Sequence, residues 1–292
     1  MTAPSSAAAT IMLELRLLKG SASALETYGD SDFAVEGLGI MTKIFDLFGR
    51  VLNNFKHNTL SLFKTVKRSE LRAYVESHAS SLKTLARQPD RIDLRTVQVP
   101  VPDGMAVPYK TATDVLLALY EQCRTQEVLA LMTALLTKHQ TLDPTQWPSL
   151  TGEIVRASIA AEHIHKETVQ SELRKVFVAQ QHGREHPAVN VMGAAVTDIN
   201  ALTHQMLQFE TIYEATAVVH AGMVKLDKVI DALVAAARMS SDTVSRSYLQ
   251  QLADLVRVAA VQFDMHGVII AEMQRVEHNY TIGLARVVGA AQ

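Results

Sequence analysis

Hydrophobic residues recur at steps of three and four along most of this chain, the spacing that places side chains on one face of a helix. The pattern is longest after Pro187, where no further proline occurs. One run extends from Ile199 to Ala237 and a second from Leu249 to Val287, with the polar sequence Met239-Ser240-Ser241-Asp242 between them. We therefore predict an antiparallel α-hairpin, of the coiled-coil type, over residues 184–292.

The predicted hairpin is longer than a compact domain of this mass allows. Arms of about 45 residues would extend roughly 65 to 70 Å at a rise of about 1.5 Å per residue. We expect the hairpin to project as a stalk or to lie along partner chains. Apolar residues also occur on more than one side of its helices, and such surfaces require cover from other subunits.

Polar residues and glycines interrupt the inward face of the hairpin. They are His220, His266, Glu277, Gly222, Gly267 and Gly283. Small residues allow helices to approach closely, and polar residues in a helix seam can fix register or oligomer number. The alternative is that they are ordinary irregularities of long helices.

Residues 40–183 form a second, mainly helical region in this interpretation. The apolar spacing predicts helices over 40–57, 60–85, about 111–139 and about 150–181. Asp143-Pro144 and Trp147-Pro148 break the pattern between the last two.

Between residues 92 and 109 the periodicity changes from that of a helix to that of a strand. Apolar residues alternate with polar residues or proline, and Asp103-Gly104 offers a tight turn. Prolines at 100, 102 and 108 confine any strand here to an edge. We expect either a short β-hairpin or an extended loop.

Composition supports a mainly α fold, a helical bundle with a long C-terminal α-hairpin. Hydrophobic residues make up 48% of the 292 and aromatic residues only 5%, so small aliphatic side chains must fill the core. Residues 1–39 read as a flexible N-terminal segment with a short amphipathic helix near Ile11–Leu18.

The sequence indicates neither a targeting segment nor a reactive cysteine. The first apolar run has no basic leader, so we expect no secretion signal. The longest uncharged apolar stretch, Val128–Leu136, is far shorter than the ~20 residues that span a bilayer. Cys123 is the single cysteine, and its apolar helical flanks indicate a buried thiol without a chemical role.

The candidate metal chemistry is confined to one short segment. Glu162 and His165 have the Glu-x-x-His spacing of di-iron helical bundles, and His163 and Glu167 form an i,i+4 pair. No second Glu-x-x-His occurs, so we expect a solvated surface and no metal or other cofactor.

The loop 182–187 is interpreted as a polar turn, with an anion site as the alternative. No catalytic motif in the sequence indicates an enzyme.

Charge is distributed unevenly beneath a net charge of −2. Residues 43–95 carry +6, whereas residues 1–42 carry −3 and residues 96–292 carry −5. The densest basic positions are Lys56, Lys64, Lys67, Arg68 and Arg72. We interpret them as a solvated face or a protein interaction surface, in preference to a nucleic-acid site.

The sequence FKHNTLSLFKTVKRSELRAYVESH, residues 55–78, resembles a segment of uncharacterised virion structural proteins of large contractile-tailed bacteriophages. This resemblance implies a multi-copy structural protein in the tail, baseplate, neck or head interior. It would be assembled in the host cytoplasm, with itself and other structural subunits as partners.

Two other classes of function remain open at this point. One is a membrane-active protein of the pore-forming type, whose long helices rearrange at a bilayer. The other is a helical-bundle enzyme that uses a metal at Glu162 and His165.

Overall fold

A computed structural model describes residues 30–65, 69–87, 92–178, 184–193, 196–239 and 245–291, without the side chains of 30–38, 58–65, 196–197 and 246. The fold is mainly α with a small antiparallel sheet, as predicted from the sequence. The predicted short helix near Ile11–Leu18 lies outside the described residues. Within the predicted flexible segment, the chain is already helical from Asp30.

The elements are labelled in chain order. They are α1 (Asp30–Thr65), α2 (Glu70–Ser77), α3 (Ala79–Arg87), β1 (Gln98–Pro100), α4 (Tyr109–Cys123), α5 (Thr125–Gln140), a 3-10 helix (Pro144–Leu150), α6 (Thr151–Ala161), α7 (Lys166–Val176), β2 (Glu185–Pro187), α8 (Ala188–Val191), α9 (Val196–Met206), α10 (Gln208–Met239) and α11 (Arg246–Ala290).

Short polar side chains begin several of these elements. Ser69 precedes α2 and its hydroxyl accepts from the backbone N–H of Arg72 at 3.1 Å. Asp143 caps the 3-10 helix in the same way, through the N–H of Thr145 at 3.0 Å, and Pro144 follows it in the first turn. Each cap satisfies a backbone donor that the helix itself leaves free.

The 45-residue helix α11 is the spine of the fold and is about 67 Å long. It contacts α1, α2, α4, α6 and β1 along its length, so one chain covers it on several sides. Its antiparallel partner α10 is also present. However, α1 packs against both α10 and α11. In a simple two-helix hairpin, α10 and α11 would make most of their close backbone contacts with each other, whereas here they make many of them with α1.

This arrangement determines what covers the inward apolar stripe, that is, the positions at three- and four-residue steps in the two C-terminal runs. From Ile199 to Ala237 and from Leu249 to Val287, all the predicted inward positions are buried except His220, which is half-buried. The described helices of the same chain provide this cover. The stripe therefore does not need partner chains, contrary to the expectation from helix length.

Four predicted helices are divided in the structure. The helix expected over 60–85 is divided among α1, α2 and α3, and the arm expected from Ile199 to Ala237 is divided at Leu207, between α9 and α10. The helix expected over 111–139 breaks at Arg124, which has φ 42° and ψ 38°, the left-handed conformation. The break changes the phase of the following helix, so Ala130 and Ala134, which an unbroken helix would place on the same face as Cys123, are exposed. The helix expected over 150–181 ends at Ala161 and resumes at Lys166.

The strand predicted between residues 92 and 109 forms, but its partner is distant in sequence. Residues Gln98–Pro100 pair with Glu185–Pro187 in antiparallel register, with Val99 opposite His186. Gly104, at φ 77°, occupies the predicted turn, where a Cβ would lie 2.7 Å from the carbonyl oxygen of Val178. The close approach of residues 102–106 to the end of α7 replaces a local hairpin.

Glycines allow two close helix contacts that the sequence anticipated. A Cβ at Gly222 of α10 would lie 2.6 Å from Leu129 of α5, and a Cβ at Gly283 of α11 would lie 3.2 Å from Val99 of β1. Gly267 differs, because nothing lies within 4 Å of its Cβ position.

Candidate functional site

Lys56, one of the predicted interaction residues, contacts the protein's own helix α10. Its ammonium group forms an ion pair with Asp227, and only 14% of its side chain is exposed. Partial burial lowers the pKa of Lys56, and the nearby Asp231 carboxylate opposes that effect. Lys56 therefore connects α1 to α10 within the chain.

Arg72 makes a similar connection from α2. Its Nε donates to Glu210 of α10 at 2.7 Å, with 39% of the arginine side chain exposed. Lys64 lies on α1 but its side chain is not among those described, and Lys67 and Arg68 lie outside the described residues. Two of the five predicted interaction residues, Lys56 and Arg72, therefore pair with acidic residues of α10.

The candidate metal ligands do not share a helix face. Glu162 follows the last residue of α6, and His165 precedes α7, so the i,i+3 geometry of a helix is not formed. The Nδ1 atom of His165 and Oε1 of Glu162 are 3.9 Å apart, with both side chains substantially exposed. His163 faces Glu127 instead of Glu167, with Nε2 3.9 Å from Oε2. Among the described residues, no three His, Cys, Asp or Glu side chains form a potential metal site.

Cys123 is buried, as the sequence predicted. Burial raises the pKa of its thiol to about 12, so the reactive thiolate is disfavoured.

In the loop predicted over 182–187, Glu185–Pro187 form β2, and Glu185 accepts a hydrogen bond from Arg286 at 2.7 Å. This carboxylate therefore connects the loop to α11.

His266 joins three helices through hydrogen bonds in the interior. The ring is 1% exposed, and Nδ1 lies 2.7 Å from the hydroxyl of Thr125 while Nε2 lies 3.0 Å from that of Thr216. The Thr216 hydroxyl donates its proton to the carbonyl of Ile212, so it accepts from Nε2–H. Burial lowers the pKa of His266 to about 4, so the imidazole is neutral at pH 7.

Glu277 makes the second polar connection in the interior. One carboxylate oxygen accepts from the hydroxyl of Ser69, and the other accepts from Tyr213 at 2.8 Å. Burial raises the pKa of Glu277, and these two hydrogen bonds oppose that rise. Like His266, Glu277 holds α11 at a defined position against its neighbours.

The outward face of α10 carries three of the six large exposed hydrophobic residues of the described chain. Val218, Val224 and Met239 are 65%, 46% and 88% exposed. Four exposed alanines lie on the same side of the helix: Ala217, Ala221, Ala232 and Ala235. Of the other large exposed hydrophobic residues of the described chain, Ile159 lies on α6, Ile282 lies on α11 and Val178 follows the end of α7.

Three charged residues lie among these apolar positions. Glu214, Lys225 and Lys228 are all exposed. Within the described chain, none of the three forms an ion pair. The sequence indicated apolar residues on more than one side of the C-terminal helices, but their spacing alone does not show which side stays exposed.

The comparisons with known proteins add no relative. No family model, curated protein or solved structure matches this chain. No described helix is long and apolar enough to cross a membrane.

Proposed function

We propose that this chain is a non-enzymatic structural protein of a contractile-tailed bacteriophage particle, present in many copies. It acts through helix-mediated contacts between subunits. The observation that carries this proposal is the outward face of α10, an apolar surface on a long, internally anchored helix.

The anchoring of α10 is what makes its outer face suitable for assembly. Its inner face is buried, Gly222 brings it close to α5, and Lys56 and Arg72 connect it to α1 and α2. A rigid helix loses little conformational freedom when its exposed face is covered. The exposed valines and methionine would leave water at such a contact, which is a favourable change.

The resemblance of residues 55–78 to virion structural proteins supports the location. Residues 55–65 and 69–78 of that segment are described in the structure, and Phe55 and Leu71 are buried in the helical body. The segment therefore contributes to the fold that presents α10 and is not itself the contact surface in this proposal.

Quantitative mass spectrometry of gradient-purified phage particles tests the proposal. We expect peptides of the chain to remain with the particles through repeated purification, at a fixed multiple of the copy number of a known single-ring component. A host cytoplasmic protein measured in the same samples serves as the control for carry-over. Loss of the chain in parallel with that control would overturn the proposed virion role.

A further inference from the structure

We infer that the outward face of α10 binds the same face of a second copy of the chain, in antiparallel orientation, with the two-fold axis at Ala221. The inference rests on the proposed multi-copy function and names the surface through which copies meet. It is carried by the exposed apolar face together with the pattern of charges within it.

The residues concerned share one narrow side of the helix. At about 100° per residue, they lie within roughly 60° on either side of Ala221. These residues are Glu214, Ala217, Val218, Ala221, Val224, Lys225, Lys228, Ala232, Ala235 and Met239, and all are exposed. Their steps of three and four residues match the seam that one helix presents to another.

The charges favour a register in which the second copy is antiparallel. With Ala221 opposite Ala221, Glu214 of each chain lies opposite Lys228 of the other. Val218 lies opposite Val224 in both halves of the same contact, and Lys225 lies opposite Ala217. Two opposite-charge pairs therefore flank a central patch that is apolar apart from Lys225 of each chain, and the two-fold symmetry repeats each contact.

Two other alignments of the same faces bring like charges together. An antiparallel register centred between Lys225 and Lys228 brings these lysines together. A parallel alignment in register places Glu214 against Glu214 and Lys228 against Lys228. Like charges that face each other across an interface are unfavourable, so the charges oppose both arrangements.

The small side chain at position 221 suits the centre of such a contact. Helix axes separated by about 8 to 10 Å leave facing Cα atoms roughly 3.4 to 5.4 Å apart, given a Cα radius of about 2.3 Å. Alanine fits this gap without displacing the backbone. One helix pair provides less area than most stable dimers, so we expect weak pairing of free chains that strengthens where many copies assemble.

Disulfide trapping tests the position of the axis in the full-length chain. Ala221→Cys places two thiols within bonding range across the proposed axis. The matched control, Ala232→Cys, changes another exposed alanine of the same face. Its two copies would be roughly 33 Å apart in this register. We expect mild oxidation to give a covalent dimer for A221C and none for A232C.

Charge reversal tests the register by sedimentation velocity over a range of protein concentrations. Glu214→Lys replaces both opposite-charge pairs by like-charge pairs, and we expect the dissociation constant to rise at least about tenfold. The control Glu121→Lys makes the same charge change on α4 and should leave the constant unchanged. Mixing the E214K chain with a Lys228→Glu chain restores opposite charges and should restore pairing.

Three outcomes would overturn the inference. They are equal cross-linking of A221C and A232C, equal effects of E214K and E121K, or a wild-type chain that stays monomeric at every concentration. The last includes the case in which a different subunit covers α10. If the chain is nevertheless found in purified particles at a fixed copy number, only the α10 contact fails and the proposed function stands. If it is also absent from particles, both fail.

Discussion

Acidification should destabilise the folded chain through His266 in a way that one substitution removes. The pKa of this imidazole falls from its ordinary value of 6.5 to about 4 in the folded state because the ring is buried. Below pH 6.5 the unfolded chain binds a proton that the folded chain does not. Stability is therefore fully present above pH 6.5 and decreases as the pH falls towards 4.

The magnitude follows from the two pKa values. The unfavourable contribution of His266 reaches about 2 kcal/mol at pH 5 and about 3 kcal/mol at pH 4, relative to pH 7.5. Carboxyl groups with raised pKa, Glu277 among them, act in the opposite sense in the same range. The total pH dependence thus mixes several groups, and a variant is needed to isolate one.

His266→Gln provides that isolation, because the amide does not titrate and retains a donor near the hydroxyl of Thr216. We would measure the free energy of unfolding by urea, with circular dichroism, at pH 7.5, 6 and 5. The wild type should lose about 2 kcal/mol more than H266Q between pH 7.5 and pH 5. Parallel curves for the two proteins would refute a neutral, buried His266.

The remaining predictions concern two matched pairs of substitutions. Gly267→Ala should raise the free energy of unfolding by roughly 0.5 to 1 kcal/mol, because alanine favours helix and its Cβ meets nothing within 4 Å. Gly222→Ala should gain less or destabilise, because its Cβ would lie 2.6 Å from Leu129, and thermal denaturation of both variants measures the difference. Tyr248→Phe should leave stability unchanged or slightly higher, because the buried hydroxyl has no hydrogen-bond partner among the described residues. Tyr280→Phe should lower stability by about 1 kcal/mol, since it removes a hydroxyl 2.7 Å from that of Thr203, and equal effects of the two tyrosine substitutions would contradict this reasoning.

The long helices were predictable because their signal is local and repeated. Most residues at the three- and four-residue steps of the C-terminal runs are apolar, and all but His220 of these positions are buried. The break at Arg124 was not predictable in the same way. Arginine has no preference for a left-handed backbone, and neither glycine nor proline marks the position.

Contacts between distant segments account for most of what the sequence did not predict. β1 has a strand pattern of its own, but its partner β2 lies more than eighty residues later and is only three residues long. Similarly, the pairing of Lys56 with Asp227 depends on how α1 lies against α10. Spacing along one segment cannot indicate such partners.

The sequence predicted part of what characterises the candidate surface on α10. Apolar residues on more than one side of the C-terminal helices indicated a need for cover, and the structure locates the exposed part on α10. Which side remains exposed depends on where α1 and α5 pack. The sequence alone therefore does not distinguish Ala221 and Val224 from the buried positions of the same helix.

Electron cryomicroscopy of the purified phage particle tests the central claim most directly. We predict density for repeated copies of the chain, each recognisable by a helix of about 67 Å, with α10 of neighbouring copies antiparallel and closest at Ala221. A map that assigns every repeated subunit to other proteins would contradict the claim. So would a map in which the chain is present and α10 faces solvent in every copy.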